Sequence, residues 1–460
     1  MTISPRRALS GLRRAAGHAV DLGRVLVATV NNPLDGLPPE IFTQDLVQRR
    51  LVHRPAVYLT GPSLVQEALV AHAGDLDKGE TVRRPLGPAL GDGLLTAEGD
   101  DWRWQRRTIA PVFRAATLPR FTPAMLAAAE RAADRLLLSA AQGPVDIGAE
   151  TMHVTFDIIV DTMLSGGEGF DVRATAAGIE RYLHHTRWAI LANILSIPAW
   201  VPLPGQRAGR EVAGALRRQL GARVALRRSE GERRDDLLTL LLEATDPETG
   251  RALDDAEIVD NLLTFVAAGH ETTALSLAWT LDLLARHPDI LRQVQREADA
   301  ATPGDVAALP LTLRVVQEGL RLYPAAPMFA RRVANPFRLG GVALKRDTVL
   351  LVPVFAIHRR TAWWDAPHVF DPDRFLPNAV AARPRLSFMP FGAGPRACIG
   401  AAFALHEAAI VLSTLLRRLD IQSVDPLPPR PRMAITLRPT RPIRLRVIPR
   451  TTRQLGPDPA

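Results

Sequence analysis

The run Phe391-Gly-Ala-Gly-Pro-Arg-Ala-Cys-Ile-Gly400 constrains this chain more than any other, because it carries Cys398, the only cysteine in 460 residues. A lone cysteine closes no intramolecular disulfide, so the loop is held by its backbone chemistry. Gly392, Gly394 and Gly400 allow positive φ or close approach, and Pro395 fixes one φ angle. The apolar run Ala401-Ala-Phe-Ala-Leu405 reads as a helix beginning just beyond the sulfur. Helix N-terminal N–H groups favour a thiolate, as does a neighbouring cation such as Arg396. Three readings are open for the thiol: a buried structural cysteine, the commonest fate of a lone thiol, a nucleophile that needs a partner base, or a metal ligand that needs an open axial site.

With 47% hydrophobic residues the chain can bury a large core, as one big domain or as two or three ordinary ones. The net charge is +9, and nearly all the positive charge is arginine, with lysine only at Lys78 and Lys345. No arginine block is interleaved with aromatics as a single-strand binder requires, so nucleic acid is not an expected partner, while a basic surface for an acidic protein stays open. No apolar run is long enough for a transmembrane anchor. The N-terminus is basic, but Asp21 and Arg24 break the apolar stretch behind it, which makes a poor signal peptide. The expectation is a soluble, cytoplasmic protein, with a basic amphipathic surface helix near the N-terminus as the alternative.

Residues 1–40 end in Pro38-Pro39 and read as a loosely packed arm, 41–450 as a single domain, and 451–460 as a tail. Arg54 to Gly61 reads as a strand and Pro62 to Val70 as a helix with proline in its first turn. Residues 79–93, rich in glycine and proline, read as a long loop. Helical pattern resumes near Glu98 and places Trp102 and Arg106 on one face. Residues 120–245 are alanine- and leucine-rich helices whose His153, His184 and His185 read as packing or surface residues. A long helix is expected from an N-cap at Asp254, with Glu257 completing a capping box, to about Arg286. Its middle reads Phe265-Val-Ala-Ala-Gly-His-Glu-Thr-Thr-Ala274. Gly269 there costs about 1 kcal/mol against alanine, and the threonines beside it can back-bond and bend the helix. A close helix crossing is the other explanation for the small residues. Leu311 to Leu322 is helical and sets Glu318 and Arg321 on one face, and short strands are expected around Met433–Leu437 and Ile443–Ile448.

The spacing Phe-x-x-Gly-x-Arg-x-Cys-x-Gly resembles the haem-binding loop of the cytochrome P450 family, with all six fixed positions met. Four further stretches resemble the same family in its order. The resemblance implies a mainly α fold with small β-sheets, holding haem b between the long central helix and the cysteine loop. Cys398 would be the axial ligand of the iron, pushing electron density that favours O–O cleavage. Phe391, Gly392, Arg396 and Ala268 would line the cofactor, and Trp102 and Arg106 would reach a propionate. Arg331-Arg-Val-Ala334 carries a second propionate ligand, for which the Arg-x-Ala spacing favours Arg332. Ala-Gly-x-Glu-Thr-Thr resembles the oxygen-activation motif, so Thr272 would hydrogen-bond dioxygen while Glu271 feeds protons in from solvent. Glu318, Arg321 and Arg374 match a buried structural triad. Phe265, Ala326, Met328, Phe329 and Ile435 would border the substrate, under a lid formed within residues 120–245.

The activity implied is monooxygenation of a small apolar substrate by dioxygen. No flavin or nicotinamide motif is present, so electrons would come from a ferredoxin and its reductase, with Arg103, Arg107 and the basic residues around the cysteine loop as docking candidates unless they are simply solvated. Arg83 and Arg84 fit an acidic substrate as well as solvent exposure. A peroxide-using or non-oxygenating haem-thiolate enzyme would not need Glu271 and Thr272, and a haem-binding sensor would need neither them nor a redox partner.

Overall fold

The computed structural model describes residues 31–51, 54–166, 188, 192, 197–198, 200–201 and 206–450. Residues 1–30 of the expected arm, the expected tail, His184 and His185 lie outside the described residues. The rest of the arm is tied down: the Asn32 side chain donates to the Pro431 carbonyl at 3.1 Å and accepts from the Met433 N–H at 3.0 Å, and Ile41 is fully buried.

Helices dominate. Proline opens α1 (Pro62–Gln66) as expected, but the predicted loop after it is a helix, α2 (Gly79–Leu90), despite Pro85 and Pro88 in its interior. Tertiary packing overrides propensity here: Pro85, Ala89 and Leu90 are buried, and α2 packs on α6 (Gln206–Glu230) and on the long central helix α8 (Asp255–Arg286). Between them come α3 (Gly99–Ile109), α4 (Thr122–Ala140), α5 (Ile147–Leu164) and α7 (Leu237–Glu243). The chain continues through α9 (Pro288–Ala300), α10 (Pro310–Leu322) and α11 (Ala401–Arg418).

The capping box of α8 forms as read: the Glu257 N–H donates to Asp254 at 2.8 Å, and the Asp254 N–H to Glu257 at 3.0 Å. Most of α8 is buried, and α5, α6, α9, α10 and α11 all pack on it, so it is the axle of the core. The helix runs unbroken through Gly269, and Thr272 back-bonds to the Ala268 carbonyl as expected. The close crossing is present as well, since a Cβ at Gly269 would stand 3.3 Å from the Ile159 side chain of α5. α4 and α5 are core helices, packed on α11 and α8 respectively, and form no lid.

The strands serve as brackets. β1 (Leu46–Leu51), β2 (Arg54–Leu59), β3 (Leu76–Asp77), β5 (Phe329–Val333) and β8 (Val349–Val352) make a five-stranded sheet ordered β1-β2-β8-β5-β3. β4 (Val145–Asp146), β9 (Leu419–Ser423) and β12 (Arg444–Pro449) form a second sheet, and β6 (Phe337–Leu339) pairs with β7 (Val342–Leu344). The strand expected at Met433–Leu437 is instead the turn of a hairpin between β10 (Pro431–Met433) and β11 (Leu437–Pro439). That turn is anchored to the core, because the Leu437 N–H donates to Ala325 and the Leu437 carbonyl accepts from the Trp279 indole, both at 3.0 Å. No helix among the described residues is long and apolar enough to cross a membrane.

Candidate functional site

The cysteine loop closes on itself through the Cys398 N–H, which donates to the Phe391 carbonyl at 2.8 Å. Glycine is required at two positions: Gly392 has φ +74°, and Gly394 has φ +71° with the Leu69 carbonyl oxygen only 2.0 Å from where a Cβ would stand. Gly400 departs from expectation, since its φ of −89° suits any residue; it is the N-cap of α11. The Cys398 thiol is open to solvent although protein crowds it on most sides, so it lies on the floor of a cleft. Burial pushes its pKa up, and the Gly400 N–H and the Arg106 guanidinium pull it back only in part. A thiolate at this place therefore needs a cation at the sulfur. Among the described residues no group of three or more His, Cys, Asp or Glu side chains could hold a metal ion. A metal on Cys398 must bring most of its other ligands with it.

The facing wall is a stripe on α8. Phe265, Ala268, Gly269 and Thr272 keep solvent access while Leu262, Leu263, Val266, His270 and Glu271 are buried, which is the period of one helix face. The Thr272 hydroxyl donates to the Ala268 carbonyl at 2.7 Å. Phe113 links the two walls, lying edge-on to Phe265 of α8 with ring centroids 5.1 Å apart and to Phe403 of α11 at 6.4 Å. Burial holds His270 down at about 4, so it is neutral, and it packs edge-on against Phe156.

Glu271 does not face solvent as expected. The β10–β11 hairpin covers it, and its carboxylate accepts from the Thr436 hydroxyl at 2.5 Å and from the Arg438 guanidinium at 2.7 Å. A buried carboxylate needs such a partner. The same hairpin turn carries Ile435, so Ile435 and the Ala325-Ala326 segment lie next to this turn of α8. Phe329 and Met328 part company: Phe329 packs against the buried cluster that includes Leu69 and Met389, whereas Met328 packs against the one that includes Ile41, Val47 and Tyr58 beyond the sheet.

A cluster of cations stands at one end of the cleft. Trp102 lies under Arg396, whose guanidinium carbon is 4.0 Å from the ring centroid, and Arg396 also bonds Glu98 and the Ala97 carbonyl. Arg332, expected here, is turned away, because neighbouring strand residues point to opposite faces. It donates to Asp77 at 2.9 Å and to Asp347 at 3.1 Å. Arg331 takes the inward place, over the Phe329 ring, and burial followed by Arg396 brings its pKa down to about 10. Lys78 is buried, donates to the Leu95 carbonyl, and is brought down to about 7 by burial, then by Arg396 and Arg331. Neither Arg106 nor Arg331 has a carboxylate partner among the described residues.

Comparison with known proteins decides which metal group suits this cleft. The family model described as Cytochrome P450 matches residues 42–447. The chain belongs to the cytochrome P450 family. Cyclooctat-9-en-7-ol 5-monooxygenase of Streptomyces melanosporofaciens is 33% identical over 89% of this chain and 88% of its own length. Pentalenene oxygenase of Streptomyces avermitilis is 30% identical over 89% of this chain and 91% of its own. The crystal structure of the cytochrome P450DA haem domain matches with a TM-score of 0.77 and 28% identity, covering 88% of this chain and 90% of that one. The mainly α fold with small sheets is the P450 fold, as expected from the motifs.

The residues of this P450 fit a haem. Lys78, Arg106, Arg331 and Arg396 gather with Glu98, which Arg396 bonds, and Asp77, which Arg332 takes, as acids beside them; this leaves buried positive charge that two propionates would balance. The sequence reading gave Lys78, Thr436 and Arg438 no role and passed over Arg331 in favour of Arg332. For Arg331 the signal was present: strand alternation puts it, and not Arg332, on the face of Phe329. Two docking candidates are already engaged, Arg103 with Asp100 at 3.0 Å and Arg107 with the buried Asp246 at 2.9 Å. Arg83 lies 3.7 Å from Asp92, and Arg84 donates to the carbonyls of Ile197 and Pro198, so backbone occupies the latter.

The triad of Glu318, Arg321 and Arg374 comes together away from the cleft. Arg321 donates to Glu318 at 2.6 and 2.7 Å with both side chains fully buried, and Arg374 stands 3.6 Å from the same carboxylate.

Proposed function

We propose that this P450 is a haem b monooxygenase, a single catalytic domain over residues 41–450, that inserts one oxygen atom of dioxygen into a small apolar substrate. The observation that carries the reading is the accessible Thr272 hydroxyl on the α8 stripe, with Glu271 one residue before it, on the helix that Phe113 links to α11 just beyond the Cys398 loop. Bound haem supplies the reductive splitting of dioxygen. The chain supplies the rest. Cys398 holds the iron, and Lys78, Arg106, Arg331 and Arg396 with Trp102 hold the cofactor carboxylates. Thr272 holds a proton at its hydroxyl, which must leave the Ala268 carbonyl to donate into the cleft. Glu271 is the proton reserve, and the half-exposed Arg438 is its link to solvent. Phe265, Phe329, Ala326 and Ile435 shape an apolar space that excludes water. The names of pentalenene oxygenase and cyclooctat-9-en-7-ol 5-monooxygenase support a cyclic hydrocarbon or its alcohol as the substrate class. P450s draw electrons from redox partners, and here a ferredoxin with its reductase, in the cytoplasm, is the proposed source.

Thr272→Ala should keep haem and folding while several-fold more electrons leave as hydrogen peroxide and less product forms. Electron use coupled to product as in the unaltered enzyme would count against the role given to Thr272. The assignment of the propionate ligand is tested by haem transfer to apomyoglobin. Arg331→Gln should speed the transfer about tenfold, the loss of one charged hydrogen bond, while Arg332→Gln leaves it near wild type; the reverse ranking would restore Arg332.

A further inference from the structure

Trp279 lies on α8 seven residues beyond Thr272, which is itself seven beyond Phe265. Positions seven apart on a helix differ by about 20° in direction, so all three share the face that borders the cleft. Phe265 and Thr272 keep solvent access, whereas Trp279 is 1% exposed. The accessible stripe of α8 therefore ends at this indole. Tyr323, just past α10, stacks on it with ring centroids 4.0 Å apart and planes 4° apart. The indole N–H donates to the Leu437 carbonyl at 3.0 Å, at the β10–β11 hairpin. The two segments that meet on Trp279 are in turn bonded to each other, since the Leu437 N–H donates to the Ala325 carbonyl at 3.0 Å. Trp279, Tyr323, Ala325 and Leu437 thus close a ring of contacts.

What this ring holds is the apolar border of the cleft. Ala326 follows Ala325 directly, and Ile435 lies two residues before Leu437. The ends of both segments are fixed from elsewhere. The Leu322 carbonyl accepts from Arg359, whose guanidinium carbon lies 3.7 Å from the Phe355 ring centroid, and the Phe355 N–H donates to the Pro327 carbonyl at 2.9 Å. Thr436 and Arg438 hold the hairpin to Glu271. Those contacts fix the segments along their length, and Trp279 fixes their standoff from α8. Leu437 is fully buried, so its carbonyl has no water to turn to if the indole N–H is removed.

We infer that Trp279 is a positioning residue that sets how far Ala326 and Ile435 stand from the Thr272 turn, and thereby which molecular shapes the cleft accepts. The inference rests on the proposed reading of Ala326 and Ile435 as borders of the substrate. Tryptophan suits the place because it offers a broad flat face to Tyr323 and one N–H donor to Leu437; phenylalanine offers the face without the donor.

The test uses the haem-loaded full chain and two probes, imidazole and 4-phenylimidazole. Both bind iron through a ring nitrogen, and they differ by a phenyl group that must lie against the apolar border. The Kd of each is read from the Soret shift. Trp279→Phe should weaken 4-phenylimidazole about fivefold, the scale of one lost hydrogen bond, while imidazole binds as in wild type. Tyr323→Leu, which removes the stack, should act in the same direction, and Tyr323→Phe, which keeps the ring, should leave both constants unchanged. A purely structural role would lower the unfolding midpoint without moving the ratio of the two constants. An unmoved ratio in Trp279→Phe and Tyr323→Leu overturns the inference, as does a Tyr323→Phe chain that behaves like Tyr323→Leu; Tyr323→Leu decides it even if Trp279→Phe does not retain haem. Ala326→Leu, which narrows the border directly, reports on the underlying reading. It should weaken 4-phenylimidazole alone, and a ratio unmoved there would mark failure of the assigned border, whereas a shift there with none in Trp279→Phe and Tyr323→Leu marks failure of the inference alone.

Discussion

Cys398→Ser will abolish the long-wavelength Soret band of the reduced carbon monoxide complex and, with it, all oxygenation. The reason is local. Burial already pushes the thiol toward its protonated form, and the Gly400 N–H and Arg106 offset that only partly. A bound iron tips the balance for sulfur, whereas a serine hydroxyl is far weaker as an acid and as a donor of electron density. The loop itself should survive the change, since its closure depends on the Cys398 backbone N–H and on Gly392 and Gly394. Haem content by pyridine haemochrome and far-ultraviolet circular dichroism separate loss of ligation from loss of fold. A folded, haem-loaded Cys398→Ser chain that kept the band would falsify thiolate ligation.

What could be read in advance was local or carried by fixed spacing. The capping box at Asp254 and Glu257 involves residues three apart, so its geometry follows from helix formation alone. The Cys398 loop and the pairing of Glu318 with Arg321 are likewise short-range. Most of the failures are long-range. α2 is helical because α6 and α8 bury it, against its two prolines. Glu271 is shielded because the hairpin carrying Thr436 and Arg438 returns from 165 and 167 residues away. Arg332 was preferred on a spacing, whereas the facing of a strand residue is a matter of parity, and parity selects Arg331.

Arg321→Ala should be the most destabilising substitution outside the cleft, by about 3–5 kcal/mol, because it strands Glu318 as a buried charge. Glu318 and Arg321 are both fully buried. Burial is the main influence on Glu318 and pushes its pKa up; Arg321 opposes it, with further help from the Asp371 N–H and Arg374. Arg321 also donates to the carbonyls of His358 at 3.0 Å, Pro367 at 2.7 Å and Val369 at 3.1 Å, so its removal leaves three acceptors unsatisfied besides the acid. Those carbonyls belong to the stretch between β8 and the cysteine loop, which ties the triad to the placement of Cys398. Arg321→Lys should not rescue, since one ammonium cannot replace a planar fork that serves a carboxylate and three carbonyls together. Arg374→Ala should cost less, because its Nε stands 3.6 Å from Glu318 and makes no hydrogen bond there. Against a domain stability of about 5–15 kcal/mol, the Arg321→Ala chain should accumulate little folded, haem-loaded protein. Urea unfolding followed by both circular dichroism and the Soret band measures the loss, and a change below about 1 kcal/mol, the scale of an exposed pair, would show that the triad does not hold this part of the fold.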